Sequence, residues 1–157
     1  MAASDHELDA PPWRRVEATL MATARAIRRA YASRYASLDL SLSQASLIAF
    51  LDESGPHTQT HLARCLGMGR AAAGLVIDAL VERDLVERRP NPEDRRAWLI
   101  ALRPEGRALV DPILEIDLVL RRALRTGIRR DERQQLAGLL IRLQANLAEV
   151  LEADDEP

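Results

Sequence analysis

Residues 58–103 read TQTHLARCLGMGRAAAGLVIDALVERDLVERRPNPEDRRAWLIALR, and the order of local signals in this stretch decides the fold. Thr58 is suited to cap a helix whose apolar positions end near Leu66, and Gly67 supplies the turn that stops it. A second helix, over about 69–83, brings Ala73, Ile77 and Leu80 to one side at helical spacing. Two strand-like runs follow, Leu85-Val86-Glu87-Arg88-Arg89 and Ala97-Trp98-Leu99-Ile100-Ala101-Leu102, separated by Pro90-Asn91-Pro92-Glu93-Asp94-Arg95-Arg96. Two prolines and an asparagine stiffen that connection, so its charges project away from the hairpin.

Helix, turn, helix and basic hairpin in this order are the sequence form of a winged helix-turn-helix. In that arrangement the second helix can enter the major groove of DNA while the hairpin follows the backbone into a minor groove. The flanks read as helical. A first helix over about 13–36 begins after Pro11-Pro12 and spaces Val16, Leu20, Ala24, Ile27 and Tyr31 along one stripe. Ser41 with Gln44 forms a capping-box pattern, so a helix is expected over about 42–52, stopped by Gly55-Pro56. Pro104 suits the first turn of a helix over about 104–126, which Pro112 should bend and Gly127 should end. The last helix, about 131–151, opens on Asp131-Glu132 at its positive end and carries Leu136, Leu139, Leu140, Leu143, Leu147 and Val150.

The expected fold is mainly α: a winged helix-turn-helix lobe with a two-stranded β wing over 41–103, and helical dimerisation regions over 1–40 and 104–157. The flanking helices carry more apolar surface than so small a lobe can cover. A second copy is expected to supply the missing face, giving a homodimer.

Composition bounds the function. A chain of 157 residues that is 47% apolar and 29% charged, with seven glycines, reads as globular and helical. No apolar run approaches the ~20 residues that span a bilayer and the N-terminus has no signal-peptide core, so a cytoplasmic location is expected. One cysteine excludes an intrachain disulfide and suits a reducing compartment. The net charge of −2 opposes nucleic-acid binding only as a sum. Acid gathers at the ends, in Asp5, Glu7 and Asp9 and again in Glu149, Glu152, Asp154, Asp155 and Glu156, whereas arginine fills 14–34, 83–107 and 121–133. All 22 basic residues are arginine, so every cation is able to make a bidentate phosphate contact.

The DNA-facing candidates are Arg70, Ala71, Ala72 and Leu75 on the second helix, Arg88 and Arg89 on the first strand, and Asp94, Arg95 and Arg96 at the tip. The outward positions of the helix are Gly69, Arg70, Ala71, Ala72, Gly74 and Leu75, and only Arg70 can form a bidentate guanine contact. The alanines and Leu75 offer contact with thymine methyls, so specificity is expected to rest on the wing, DNA shape and phosphates.

Other chemistry finds little support. No nucleophile with its base, paired catalytic acids, phosphate loop or metal cluster stands out, so neither an enzyme nor a cofactor is expected. Gly67-Met68-Gly69-Arg70-Ala71-Ala72 resembles a dinucleotide fingerprint but joins two helices, where that motif must follow a strand. His57 and His61 have metal-binding spacing without a third ligand. Cys65 is expected to be a small buried residue of its helix. Trp13 and Trp98 read as packing residues, Trp98 anchoring the second wing strand.

From about 40 to 110 the chain resembles the MarR (multiple-antibiotic-resistance) family of regulators, near its SlyA-like branch. The residues that carry the likeness are LARCLG at 62–67, VIDALVER at 76–83, LVERR at 85–89, PEDRR at 92–96 and LRPEG at 102–106. The outer helices agree in number and order. The resemblance implies a homodimer that binds a near-palindromic duplex site, represses or sometimes activates nearby genes, and responds to small aromatic or phenolic effectors. Carried over by position, Asp94 would pair with Arg96 and hold the wing while Arg95 at the tip reaches the minor groove; the residues themselves do not choose between Arg95 and Arg96. The effector cleft would lie between the dimer arms and the DNA-binding lobe, with Trp13, Tyr31, Tyr35, Leu47 and Phe50 as lining candidates. Two positions depart from the pattern: Leu75 stands where SlyA-like relatives tend to carry arginine, and Arg103 where the family often has threonine, a lost helix cap worth about 1 kcal/mol. The rival reading is a winged-helix protein-interaction module that has lost DNA binding, favoured by the apolar second helix and the negative total charge.

Overall fold

The computed structural model describes Pro11 and residues 15–154, with side chains as far as Ala148. The chain divides into a compact unit ending at Leu120 and another beginning at Arg121. In the first, α1 (Val16–Tyr35) runs into a 3₁₀ turn at Ala36–Leu38. There follow α2 (Leu42–Ser54), β1 (His57–Thr58), α3 (Gln59–Cys65), α4 (Arg70–Glu82), β2 (Val86–Pro90), β3 (Trp98–Leu102), α5 (Pro104–Arg107) and most of α6 (Val110–Leu124). The end of α6 and α7 (Arg130–Asp154) belong to the second.

α2 and α3 start where side chains satisfy their free backbone groups, and α3 and α4 end in backbone closures. Ser41 Oγ accepts from the Gln44 amide at 3.2 Å, and Gln44 Oε1 accepts from the Ser41 amide at 2.8 Å, so the expected capping box is formed. Ser41→Ala removes half of that exchange and is expected to cost about 1 kcal/mol, measured by urea unfolding. Thr58 Oγ1 accepts from the His61 amide at 3.3 Å and caps α3. At the other end of α3, Gly67 takes φ 61°, which lets the Met68 amide reach back to the Ala63 carbonyl at 2.9 Å. The same closure ends α4, with Asp84 at φ 56° and the Leu85 amide on the Leu80 carbonyl at 2.9 Å. Aspartate is among the few side chains that accept this left-handed conformation.

The wing hairpin pairs Val86 with Leu102, Arg88 with Ile100 and Pro90 with Trp98. It is not alone, however: β1 lies on the free edge of β3, pairing His57 with Ile100 and Thr58 with Leu99, so the sheet has three strands in the order β1-β3-β2. A two-residue strand has no alternation to announce it. A second difference lies after the wing. The helix expected over 104–126 stops at Arg107 and resumes at Val110. Pro112 has no N–H for the Ala108 carbonyl and its ring presses on that group, so the helix opens one turn before the proline. Arg103 precedes α5 without a side-chain cap; its guanidinium instead stands 3.4 Å from Asp84.

Tyr35, Leu47, Ile48, Leu51, Leu62, Ile77, Leu80, Val86, Ile100 and Ile113 form a continuous core that fixes α4 and the wing to one body. Trp98 is not part of it. It opens β3, pairs with Pro90 at the limit of the ladder and is 55% exposed.

In the second unit α7 begins with the Arg129 amide donating to Glu132 Oε2 at 2.8 Å. The Arg129 guanidinium, 3.0 Å from Asp131, holds the Asp131 carboxyl below its ordinary range. Along α7, Leu136, Leu139, Ile141 and Leu147 are exposed. Among the described residues no helix is long and apolar enough to cross a membrane.

Candidate nucleic-acid interface

Arg70 is the first residue of α4, and Ala71, Ala72 and Leu75 lie exposed along the face opposite buried Ala73, Ile77 and Leu80. Gly74 does not share that outward face. It is half-buried beneath Gln59 of α3, whose Nε2 would stand 3.0 Å from a Cβ at position 74. The same amide nitrogen donates to the Arg70 carbonyl at 3.1 Å, so one glutamine clamps the two helices.

The wing tip is held by its own side chains. Asn91 Oδ1 accepts from the Glu93 amide at 3.0 Å, and Asp94 Oδ1 accepts from the Arg96 amide at 2.9 Å. Asp94 and Arg96 are therefore joined through the Arg96 backbone and not through an ion pair of side chains. An Asx turn satisfies the carboxylate within two residues and leaves the guanidinium outside. Arg95 and Arg96 are both exposed.

Arg88 and Arg89 are placed differently from Arg95 and Arg96. The Arg88 guanidinium bonds Asp78 on α4, and Arg89 bonds Glu87 on its own strand. Arg88 thus braces β2 against α4, setting the angle between hairpin and helix. Asp78 and Glu87 are each paired with an arginine, while the exposed Glu93 and Asp94 stand at the tip beside Arg95 and Arg96. A further pair ties α4 to the turn after α1: Arg83 lies 3.4 Å from Asp39 and donates to the Asp39 carbonyl.

The candidates for an effector cleft are scattered. Trp13 falls outside the described residues. Leu47 is fully buried and Tyr35 nearly so, both within the core. Burial, and then the negative charge of Asp117, hold the Tyr35 phenol above its ordinary range. Tyr31 is half-buried and its hydroxyl donates to Asp117 Oδ1 at 2.9 Å. Phe50 stands against His57 and His61, with ring centroids 5.6 and 6.2 Å away. A cleft of about 290 Å³ does open between α1 and α6, but it is lined by Arg34, Leu38, Pro112, Glu115, Ile116, Val119 and Leu120. The candidates follow the cleft that the resemblance implies, and local sequence pattern does not show that Arg34 and α6 come together.

The His57 and His61 rings stack at 4.3 Å and 23°. Cys65, expected to be buried, is exposed. The inward positions of α3 are Leu62 and Ala63, which leaves the sulfur on the outer side, 3.3 Å from His61 Nε2.

A sequence profile of the MarR family matches residues 38–97. The chain is 30% identical, over 82% of its length, to a crystal structure of a probable transcriptional regulator from Pseudomonas aeruginosa, covering 99% of that chain with a TM-score of 0.69. The chain belongs to the MarR family. Among curated members, the multiple antibiotic resistance protein MarR of Salmonella typhimurium is 30% identical over 74 residues, 47% of this chain and 51% of that protein. The match to such curated relatives thus spans about half their length. BpsR of Bordetella bronchiseptica, whose structure describes regulation of its DNA binding by 6-hydroxynicotinic acid, shares the fold at a TM-score of 0.79. Its identity is 21% over 86% of this chain and 96% of that one. The winged-helix fold read from the sequence is therefore the MarR-family fold.

Proposed function

We propose that this MarR-family chain binds double-stranded DNA as a homodimer and regulates transcription, α4 entering the major groove and the wing tip an adjacent minor groove. One observation carries the reading. Arg95 and Arg96 stand exposed on a tip fixed by Asn91 and Asp94, while Asp78 of α4 and Glu87 of β2 are each paired with an arginine. A rigid loop bearing guanidinium groups loses little entropy on entering the negative potential of a narrow minor groove. The total charge of −2 is no obstacle when charge is distributed in this way.

The paired subunit follows from surface that water should not keep. Val16 and Met21 of α1, Val119 of α6 and Ile141 of α7 are each about half exposed or more. A second copy laying the same helices against them would bury these side chains and place two readers about one helical turn of DNA apart. The α1–α6 cleft, with an apolar wall and both Arg34 and Glu115 in its lining, suits a small aromatic or phenolic effector. Such an effector would act by binding two reader spacings unequally, and release of DNA on binding would make the protein a repressor. A protein that acts on the chromosome works in the cytoplasm.

Two observations favour a second reading, in which the winged helix docks a protein: Leu75 is exposed on α4 and the net charge is negative. Salt dependence separates the two. Duplexes selected from a random pool should bind with a log–log salt slope of about −5, taking three phosphates neutralised by each protomer. A flat slope, or no selected duplex, would reject DNA binding in favour of a protein partner.

A further inference from the structure

Leu75 is 73% exposed, more than any other large apolar side chain among the described residues. It sits on the outward face of α4, with Ala71 and Ala72 one turn before it and Asp78 one turn after. Polar groups bracket this face without entering it. Arg70 occupies its N-terminal end, and the Asp78 carboxylate at the other end is held by Arg88. Between them the surface has no side-chain donor or acceptor.

We infer that Leu75 reads thymine 5-methyl groups, so that each half-site presents thymine to the middle of α4 beside a guanine taken by Arg70. This rests on the DNA-binding reading and adds what the helix recognises. On base edges in the major groove the only methyl is that of thymine; cytosine has a bare C–H at the same ring position, and the remaining recognition groups are donors or acceptors. A leucine facing cytosine N4 or adenine N6 would desolvate a donor without replacing its hydrogen bond, which disfavours those bases. Facing thymine, it removes apolar area on both sides from water. The flanking charge selects the occupant. Arg70 at one end and the exposed Arg95 and Arg96 of the wing suit a polyanion carrying methyl groups better than an apolar protein surface. The Asp78–Arg88 pair has a part in this, because an unneutralised carboxylate one turn from Leu75 would face the phosphates.

Deoxyuridine provides the test, since it differs from thymidine only by the missing methyl and keeps pairing, the O4 acceptor and the phosphates. In a selected duplex, thymines are replaced singly by deoxyuridine and binding by the full chain is measured for each. At one or two positions per half-site the affinity should fall roughly fivefold, the scale of one methyl left in water. Leu75→Ala should bind the thymine and uracil duplexes equally at those positions, with an unchanged salt slope. As Leu75 is exposed, this variant keeps the fold, and an unchanged melting temperature verifies that. If the native chain binds every uracil duplex as tightly as its thymine parent while the steep salt slope remains, methyl reading is wrong and DNA binding stands. If no duplex binds at low salt, both readings fall together.

Discussion

Replacing Gly106 with alanine is expected to lower the melting temperature by about 10 °C. A Cβ at this position would lie 2.1 Å from the Leu85 carbonyl oxygen and 3.0 Å from a Leu102 methyl. The leucine methyl can swing away, but the carbonyl cannot. It accepts the Arg103 amide at 3.1 Å, and the Leu85 amide is itself bound to Leu80 as the closure of α4. Relief therefore requires α5 to lift off the chain by about an ångström, against Val86 and Val110 in the core. Overpacking of this kind costs about 3 kcal/mol. For a chain of this size each kcal/mol corresponds to roughly 2–4 °C. Thermal melts followed by circular dichroism measure it, and a shift under about 2 °C would show that α5 does not lie where it is described.

The second large effect concerns binding and leaves stability alone. The double variant Arg95→Ala with Arg96→Ala should weaken duplex binding about 100-fold at low salt, since each protomer gives up one charge-assisted hydrogen bond to phosphate at roughly 1.5 kcal/mol. Its log–log salt slope should fall by about 2, one phosphate equivalent per protomer. The melting temperature should hold, because the bond from the Arg96 amide to Asp94 uses backbone that alanine retains. Fluorescence anisotropy on specific and random duplexes measures both quantities. Weaker affinity with an unchanged slope would mean that the tip acts by shaping the protein and not by meeting phosphate.

Local chemistry is legible in the sequence wherever a signal lies within a few residues. The Ser41–Gln44 box, the Thr58 cap and the Gly67 turn are each complete within six positions, and each forms as expected. What escapes depends on partners far along the chain. β1 exists only because β3 offers an edge some forty residues later, and His57-Thr58 alone has no strand pattern. Arg88 and its neighbour Arg89 look alike in sequence, and only the fold brings Asp78 of α4 beneath the first of them. The resemblance alone places Leu47 in a cleft, and α2 is apolar on several sides, so its own pattern does not mark Leu47 as inward; the core contains it. Cys65 departs in the opposite direction, since the size of a side chain does not reveal which side of a short helix it occupies.

The Gln59 clamp on Gly74 has a consequence for how such a protein could change allegiance. A larger side chain at position 74 meets the amide that joins α3 to the start of α4, so a change there requires Gln59 to shift. Divergence toward a new target is freer at Arg70, Ala71, Ala72 and Leu75, which are exposed. Variation is thereby favoured at the outward positions of the helix, and duplicated copies of the gene could part company there without first surviving a loss of foldedness.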